Sequence, residues 1–135
     1  MREAPAQLVG EFDAIIFDHD GTIVDSEEAI SRAYRIWAEE YGISDERLSE
    51  FRGIPNQIVA RELVPDRWAE AAHRIEALEV ENTHGVIAMP GSAAAFATLP
   101  AGRVAIGTSC GAHLLKVRMA AAGLPLPPVI VTFDD

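Results

Sequence analysis

The chain has 135 residues, 49% of them apolar and 24% charged, which excludes a disordered or collagen-like polymer and fits one small domain, or a domain and part of another. Eleven Lys and Arg stand against 21 Asp and Glu, a net charge of −10, so nucleic acid and anionic membranes are excluded as partners, although a small phosphate can still bind where local geometry overrides the global field. The single cysteine, Cys110, excludes an internal disulfide and an all-cysteine zinc site.

No apolar run approaches the ~20 residues of a bilayer span, and the first ten residues lack the apolar core of a signal peptide. A soluble cytoplasmic protein in a reducing compartment is the expectation.

Residues 12–17 (Phe-Asp-Ala-Ile-Ile-Phe) read as a short buried strand that ends in the polar run Asp18-His19-Asp20-Gly21. A helix follows. Ser26 is positioned to cap it, Glu27 and Glu28 favour the positive end of its dipole, and Gly42 stops it. Ile30, Ala33, Tyr34, Trp37 and Tyr41 recur at helical spacing. Asp45 is the expected cap of a short helix ending near Phe51. Pro55 opens another that runs to Leu63, and Asp66 opens a third bearing Trp68, Ala72, Ile75 and Leu78 or Glu79. Trp37 and Trp68 are both expected in the helical core.

After Met89-Pro90-Gly91 comes a short alanine-rich helix. Residues 103–107 form a second apolar strand ending in Thr108-Ser109. A helix over 111–122 presents Leu115, Met119 and Ala122 on one face. Residues 129–133 form a third strand, running into Asp134-Asp135. Strands alternating with helices predict an α/β fold with a parallel sheet. Residues 26–85, all helical, are too long for one crossover and read as an inserted lid.

Ligands in open parallel sheets bind beyond the C-terminal ends of the strands. There the first strand delivers Asp18, His19, Asp20 and Gly21, and Gly21 permits the backbone to turn so that both carboxylates share one site. Two carboxylates this close repel unless a proton or cation intervenes, and a hard cation such as Mg²⁺ suits them. One carboxylate can attack phosphorus while the other protonates the leaving oxygen. Thr108 and Ser109, at a helix start, suit a phosphate.

Phe17-Asp18-His19-Asp20-Gly21-Thr22-Ile23-Val24-Asp25-Ser26 resembles the first motif of the haloacid-dehalogenase-like (HAD-like) phosphohydrolases, and Val104-Ala105-Ile106-Gly107-Thr108-Ser109 resembles the second. Within that superfamily the chain looks most like the sugar-phosphate and polyol-phosphate phosphatases near β-phosphoglucomutase. Ala38 to Ile43, Arg52 to Pro55, Met89 to Gly91 and Ala121 to Pro125 support the likeness. The resemblance implies a HAD-like Rossmannoid sheet, here with three core strands in 1–25 and 86–135, and a helical cap in 26–85. It implies Asp18 as nucleophile and as a Mg²⁺ ligand. Asp20 becomes the general acid and then base, with its backbone carbonyl on the metal. Thr108 binds the transferring phosphoryl group, with backbone N–H groups near His19, Asp20 and Ser109. At His19 the backbone matters more than the ring, and Asp25 braces the loop.

The family's usual lysine and later acidic pair have no counterpart in the sequence. Asp134 and Asp135 are the candidate substitutes at the metal, Arg52 is the candidate cap contact to phosphate, and Lys116 reads as a surface residue. Cys110 reads as a small neighbour of the site. His73, His84 and His113 lack metal-ligand spacing. In the family's sheet order the first strand is central, so with the later strands absent its apolar edge is open. Self-association, as a dimer through that edge, is the expectation. The reading is a Mg²⁺-dependent phosphomonoesterase of sugar or polyol phosphates working through an aspartyl-phosphate. An inactive assembly or binding module and a phosphomutase are the alternatives.

Overall fold

The computed structural model of the protein describes residues 9–135. In chain order its elements are β1 (Ile15–Phe17), β2 (Val24–Asp25), α1 (Glu27–Tyr41), α2 (Asp45–Ser49), α3 (Asn56–Leu63), α4 (Trp68–Glu81), β3 (Ile87–Ala88), α5 (Ser92–Thr98), β4 (Val104–Gly107), α6 (Ala112–Ala121) and β5 (Val129–Val131).

β1, β4 and β5 form a parallel sheet in the order β1-β4-β5. Ile15 lies opposite Val104 and Phe17 opposite Ile106, while Ala105 faces Val129 and Gly107 faces Val131. The central strand buries Val104 and Ile106. This register places the C-terminal ends of β1 and β4 side by side, so the loops after Phe17 and Gly107 are neighbours. Each strand is shorter than the apolar run that announces it. Phe12 is exposed, and Ile16 on the edge strand is 75% exposed.

The helical segment enters through β2 and leaves through β3. These pair antiparallel, Val24 with Ala88 and Asp25 with Ile87, a ribbon too short to show as alternation in the sequence. Between them the helices bury a core of their own, built on Ala33, Trp37, Val59, Ala60, Ala71, Ile75 and Leu78. The indole N–H of Trp37 donates to the Ala71 carbonyl at 3.0 Å, satisfying the one polar atom the ring brings inside. Trp68 departs from expectation. It sits in the first turn of α4 at the end of the packed region, half-exposed, with the Arg61 guanidinium 4.3 Å from its ring centre.

Two helix starts also differ. The side chain of Ser26 makes no cap to α1, because its hydroxyl is drawn to a carboxylate in the preceding loop. Ser44 rather than Asp45 caps α2, accepting from the Arg47 N–H at 3.2 Å. A second apolar cluster lies under the sheet, where Val24 of the ribbon and Ile23 and Val86 just before its two strands meet Ile106 of β4 and Leu115 and Met119 of α6. The two clusters are the hydrophobic basis of the fold on either side of the site.

Candidate active site

The loop after β1 folds tightly on itself. The His19 carbonyl accepts from the N–H groups of Thr22, Ile23 and Val24 at 3.2, 2.9 and 3.3 Å, and the Gly21 N–H returns to the Val24 carbonyl at 2.8 Å. Gly21 sits at φ 79°, left-handed backbone that a side chain would strain. The turn brings Asp18 and Asp20 to one cavity of about 590 Å³, which Thr108, Ser109, Cys110, Arg118, Arg35 and Arg52 also line. The cavity therefore lies between the strand ends and the helical segment, and Arg52 reaches it from the turn before α3.

Asp18 is exposed, and one carboxylate oxygen accepts from the His19 N–H at 2.8 Å. Its second oxygen accepts nothing among the described residues, and neither does the backbone carbonyl of Asp20. An open carboxylate oxygen and an open carbonyl beside the same cavity are hard oxygen donors of the kind Mg²⁺ takes, so this pair fits that ion. Nor do the N–H groups of Asp20 and Ser109 find acceptors among the described residues. Thr108 spends its N–H on the Val131 carbonyl at 3.0 Å, while its hydroxyl accepts from the Cys110 N–H at 3.2 Å. That hydroxyl keeps its own proton to donate.

The C-terminal acids are engaged locally. Asp134 accepts from the Ala112 N–H at 2.8 Å, at the start of α6, and Asp135 accepts from the Thr132 N–H at 2.8 Å. Lys116 is exposed, as its position on α6 suggested.

Asp20 is held differently from Asp18. The Ser26 hydroxyl donates to it at 2.7 Å, and one Arg118 nitrogen donates to both of its oxygens at 3.2 Å. Arg118, only 2% exposed, also donates to Glu79 of α4. Glu79 in turn accepts from the Asn56 amide at 2.8 Å, and Tyr34 donates to Asn56. A polar chain, buried at Arg118 and Glu79 and half-buried at its ends, thus runs from the acidic loop across α6 into α4, α3 and α1. Burial pushes the Glu79 carboxyl up and the Arg118 charge opposes it.

Burial alone would also raise Asp20. The His19 ring edge, Arg118 and Ser26 outweigh it and hold the carboxyl at about 2. At 3.4 Å the His19 contact is an electrostatic neighbour rather than a formed hydrogen bond, so we hold Arg118 chiefly responsible.

A depressed carboxyl stabilises the fold above its unfolded value of 3.8, and that contribution is lost as pH falls through about 2. The difference amounts to about 2 kcal/mol at neutral pH. Asp20→Asn should therefore unfold more easily in urea at neutral pH by about that amount, with the gap roughly halved by about pH 3. A gap that stays constant with pH would contradict this account.

Sequence reasoning missed Arg118, Arg35 and the ribbon of β2 and β3. The signal for Arg118 was present. It falls on the same face of α6 as Leu114, Leu115 and Met119, just as Glu79 shares the buried face of α4 with Ala72, Ile75 and Leu78. Two opposite charges on two apolar faces announce a buried pair.

The arrangement is a parallel-sheet α/β protein in which a β-strand ending in two carboxylates lies beside a hydroxyl-bearing strand end under a helical segment. The family model for haloacid dehalogenase-like hydrolases matches residues 15–123, and the chain belongs to that family.

Hexitol phosphatase A of Escherichia coli (strain K12) is 35% identical over 127 residues, which cover 88% of this chain and 58% of that protein. A hydrolase from Pseudomonas syringae superposes with a TM-score of 0.70 at 26% identity, over 90% of this chain and 61% of its own. The HAD-hydrolase YfnB from Bacillus subtilis, solved bound to magnesium, superposes with a TM-score of 0.65 at 20% identity, over 93% of this chain and 67% of its own. The chain therefore spans little more than half the length of the curated relative it matches. Among the described residues no helix is long and apolar enough to cross a membrane.

Proposed function

We propose that this chain carries the phosphoryl-transfer half of a Mg²⁺-dependent phosphomonoesterase for small sugar or polyol phosphates, with Asp18 as the nucleophile. The observation that carries the reading is the shared cavity. Asp18 and Asp20 from the end of β1, and Thr108 and Ser109 from the end of β4, line one space under the helical segment. The likeness to a hexitol phosphatase supports the polyol class of substrate. We assign residues 26–85 to a cap and the remainder to a core, the β2–β3 ribbon being the joint between them.

In this reading a substrate phosphate rests against the Thr108 hydroxyl and the free N–H groups of Asp20 and Ser109. Asp18 attacks phosphorus in line, its oxygen bonding to phosphorus as the bond to the substrate oxygen breaks. Asp20 gives that oxygen its proton, and later takes one from the water that cleaves the aspartyl-phosphate. An Asp20 held at about 2 is ionised at neutral pH, and the approaching phosphate dianion is the charge that raises it for the acid step. Asp18 and the Asp20 carbonyl would hold the magnesium, which supplies neutralising charge against the phosphate when bound. Arg52 and Arg35 meet the substrate from the cap side. Phosphate release from a hexitol phosphate should require added Mg²⁺ and stop with EDTA. Equal release with and without EDTA overturns the metal-dependent reading.

We also infer self-association through β1. Among the described residues β1 is paired on one side only, and its Ile16 is 75% exposed. An open apolar edge recruits another strand. Light scattering at micromolar concentration should give a dimer, and Ile16→Lys should give a monomer. A compact monomer for the unaltered chain removes the proposal.

A further inference from the structure

One side chain of the site has no task in the phosphatase reading. His19 is fully buried, yet among the described residues neither ring nitrogen has a hydrogen-bond partner. Buried ring nitrogens left unmet cost free energy, and a native fold meets such atoms with a protein partner, an ordered water or a bound ion. Nδ1 points at Asp20, 3.4 Å from Oδ1. The pairing of β1 with β4 brings Cys110 to the same place, so that a His19 ring nitrogen, an Asp20 oxygen and the Cys110 sulfur lie within 4.8 Å of one another.

Tetrahedral zinc with bonds of about 2.0–2.3 Å keeps its ligand atoms about 3.3–3.8 Å apart, so a contraction of about 1 Å closes this set. The donors are one nitrogen, one oxygen and one sulfur. That mixture suits zinc and is poor for Mg²⁺, which takes oxygen. The charges also close. A dication meets the thiolate and the Asp20 carboxylate, while Arg118 keeps Glu79. Burial foremost, with Asp20 nearby, pushes the Cys110 thiol up to about 11, so without metal it stays protonated and inert. Binding sends that proton to solvent.

We propose that His19, Asp20 and Cys110 form a zinc site beside the hard-cation position at Asp18 and the Asp20 carbonyl. Three protein ligands leave a fourth position open to water or to a substrate oxygen. Its occupant takes the Asp20 carboxylate away from the leaving group. Zinc is therefore an inhibitor of the activity, and this consequence alone rests on the phosphatase reading.

The test uses the full chain in excess Mg²⁺. Cobalt, titrated as a coloured substitute, should bind one ion per chain with a thiolate-to-cobalt charge-transfer band. That band should vanish in Cys110→Ser. Zinc affinity by calorimetry should fall at least about 100-fold in Cys110→Ser and in His19→Asn. His73→Ala and His113→Ala, which alter a shallow surface depression shared with Glu76 and Glu81, should change nothing. If His19→Asn does not fold, Cys110→Ser decides. Absence of the band, or zinc binding unchanged in Cys110→Ser, overturns the site. A band in a chain that releases no phosphate keeps the zinc site and removes the phosphatase reading instead.

Discussion

Asp18→Asn should reduce metal-dependent phosphate release by at least about 10³-fold while leaving the fold intact. In the proposed mechanism the amide has no anionic oxygen with which to attack phosphorus, so no aspartyl-phosphate would form. The change is otherwise mild. Asp18 is exposed, and the one hydrogen bond it accepts among the described residues, from the His19 N–H, can be accepted equally by an amide oxygen. Urea unfolding should shift by no more than about 0.5 kcal/mol. Magnesium and a fluoride mimic of the phosphoryl group should bind beside Asp18 in the unaltered chain and not in the variant. Retention of a tenth or more of the turnover would show that some other group is the nucleophile.

Arg118→Met should cost about 3–5 kcal/mol of stability, because it removes the shared partner of two acids. Glu79, 4% exposed, keeps only the Asn56 amide, and Asp20 keeps only the Ser26 hydroxyl and the His19 edge. The loss comes from the stranded charges, not from the missing guanidinium as such. Pairing Arg118→Met with Glu79→Leu should therefore restore most of it, since well-packed apolar groups often replace a buried pair at little cost. Equilibrium unfolding of the two single variants and the double variant checks this. A single substitution costing less than about 1 kcal/mol would mean that the buried bridge does not form in solution.

The sheet and the acidic loop were legible because their signals are local. A strand run that ends in Asp-His-Asp-Gly states both where the chain turns and what it carries there. The paired strand after Arg103 states where Thr108 and Ser109 come to stand beside that loop. The run of helices between Ser26 and Gly85 was legible from their apolar spacing and their stop signals. What stayed hidden depends on contacts distant in sequence. Arg118 meets Asp20 across 98 positions and Glu79 across 39, and no periodicity on one helix names a partner on another. The burial of the His19 ring was hidden for the same reason, since it is set by elements packed around the loop. Trp68 shows the reverse error. Its spacing matched the buried face of α4, but spacing does not reveal where the opposing helices end. Strand ends were overestimated at Phe12 and Phe133 because apolar character outlasts pairing.

The ribbon of β2 and β3 has a consequence for how such a molecule can be taken apart. Adjacent strands run about 4.8 Å from one another, so the chain leaves the sheet portion and re-enters it at almost the same point. The chain between Asp25 and Ile87 therefore joins the sheet portion covalently through a narrow stem, while the buried Glu79–Arg118 bridge ties it to α6 as well. A tight hairpin turn could replace it without moving either stump only if Arg118 were made apolar at the same time, and a helical segment from a relative could be grafted there if its two ends met at the same separation.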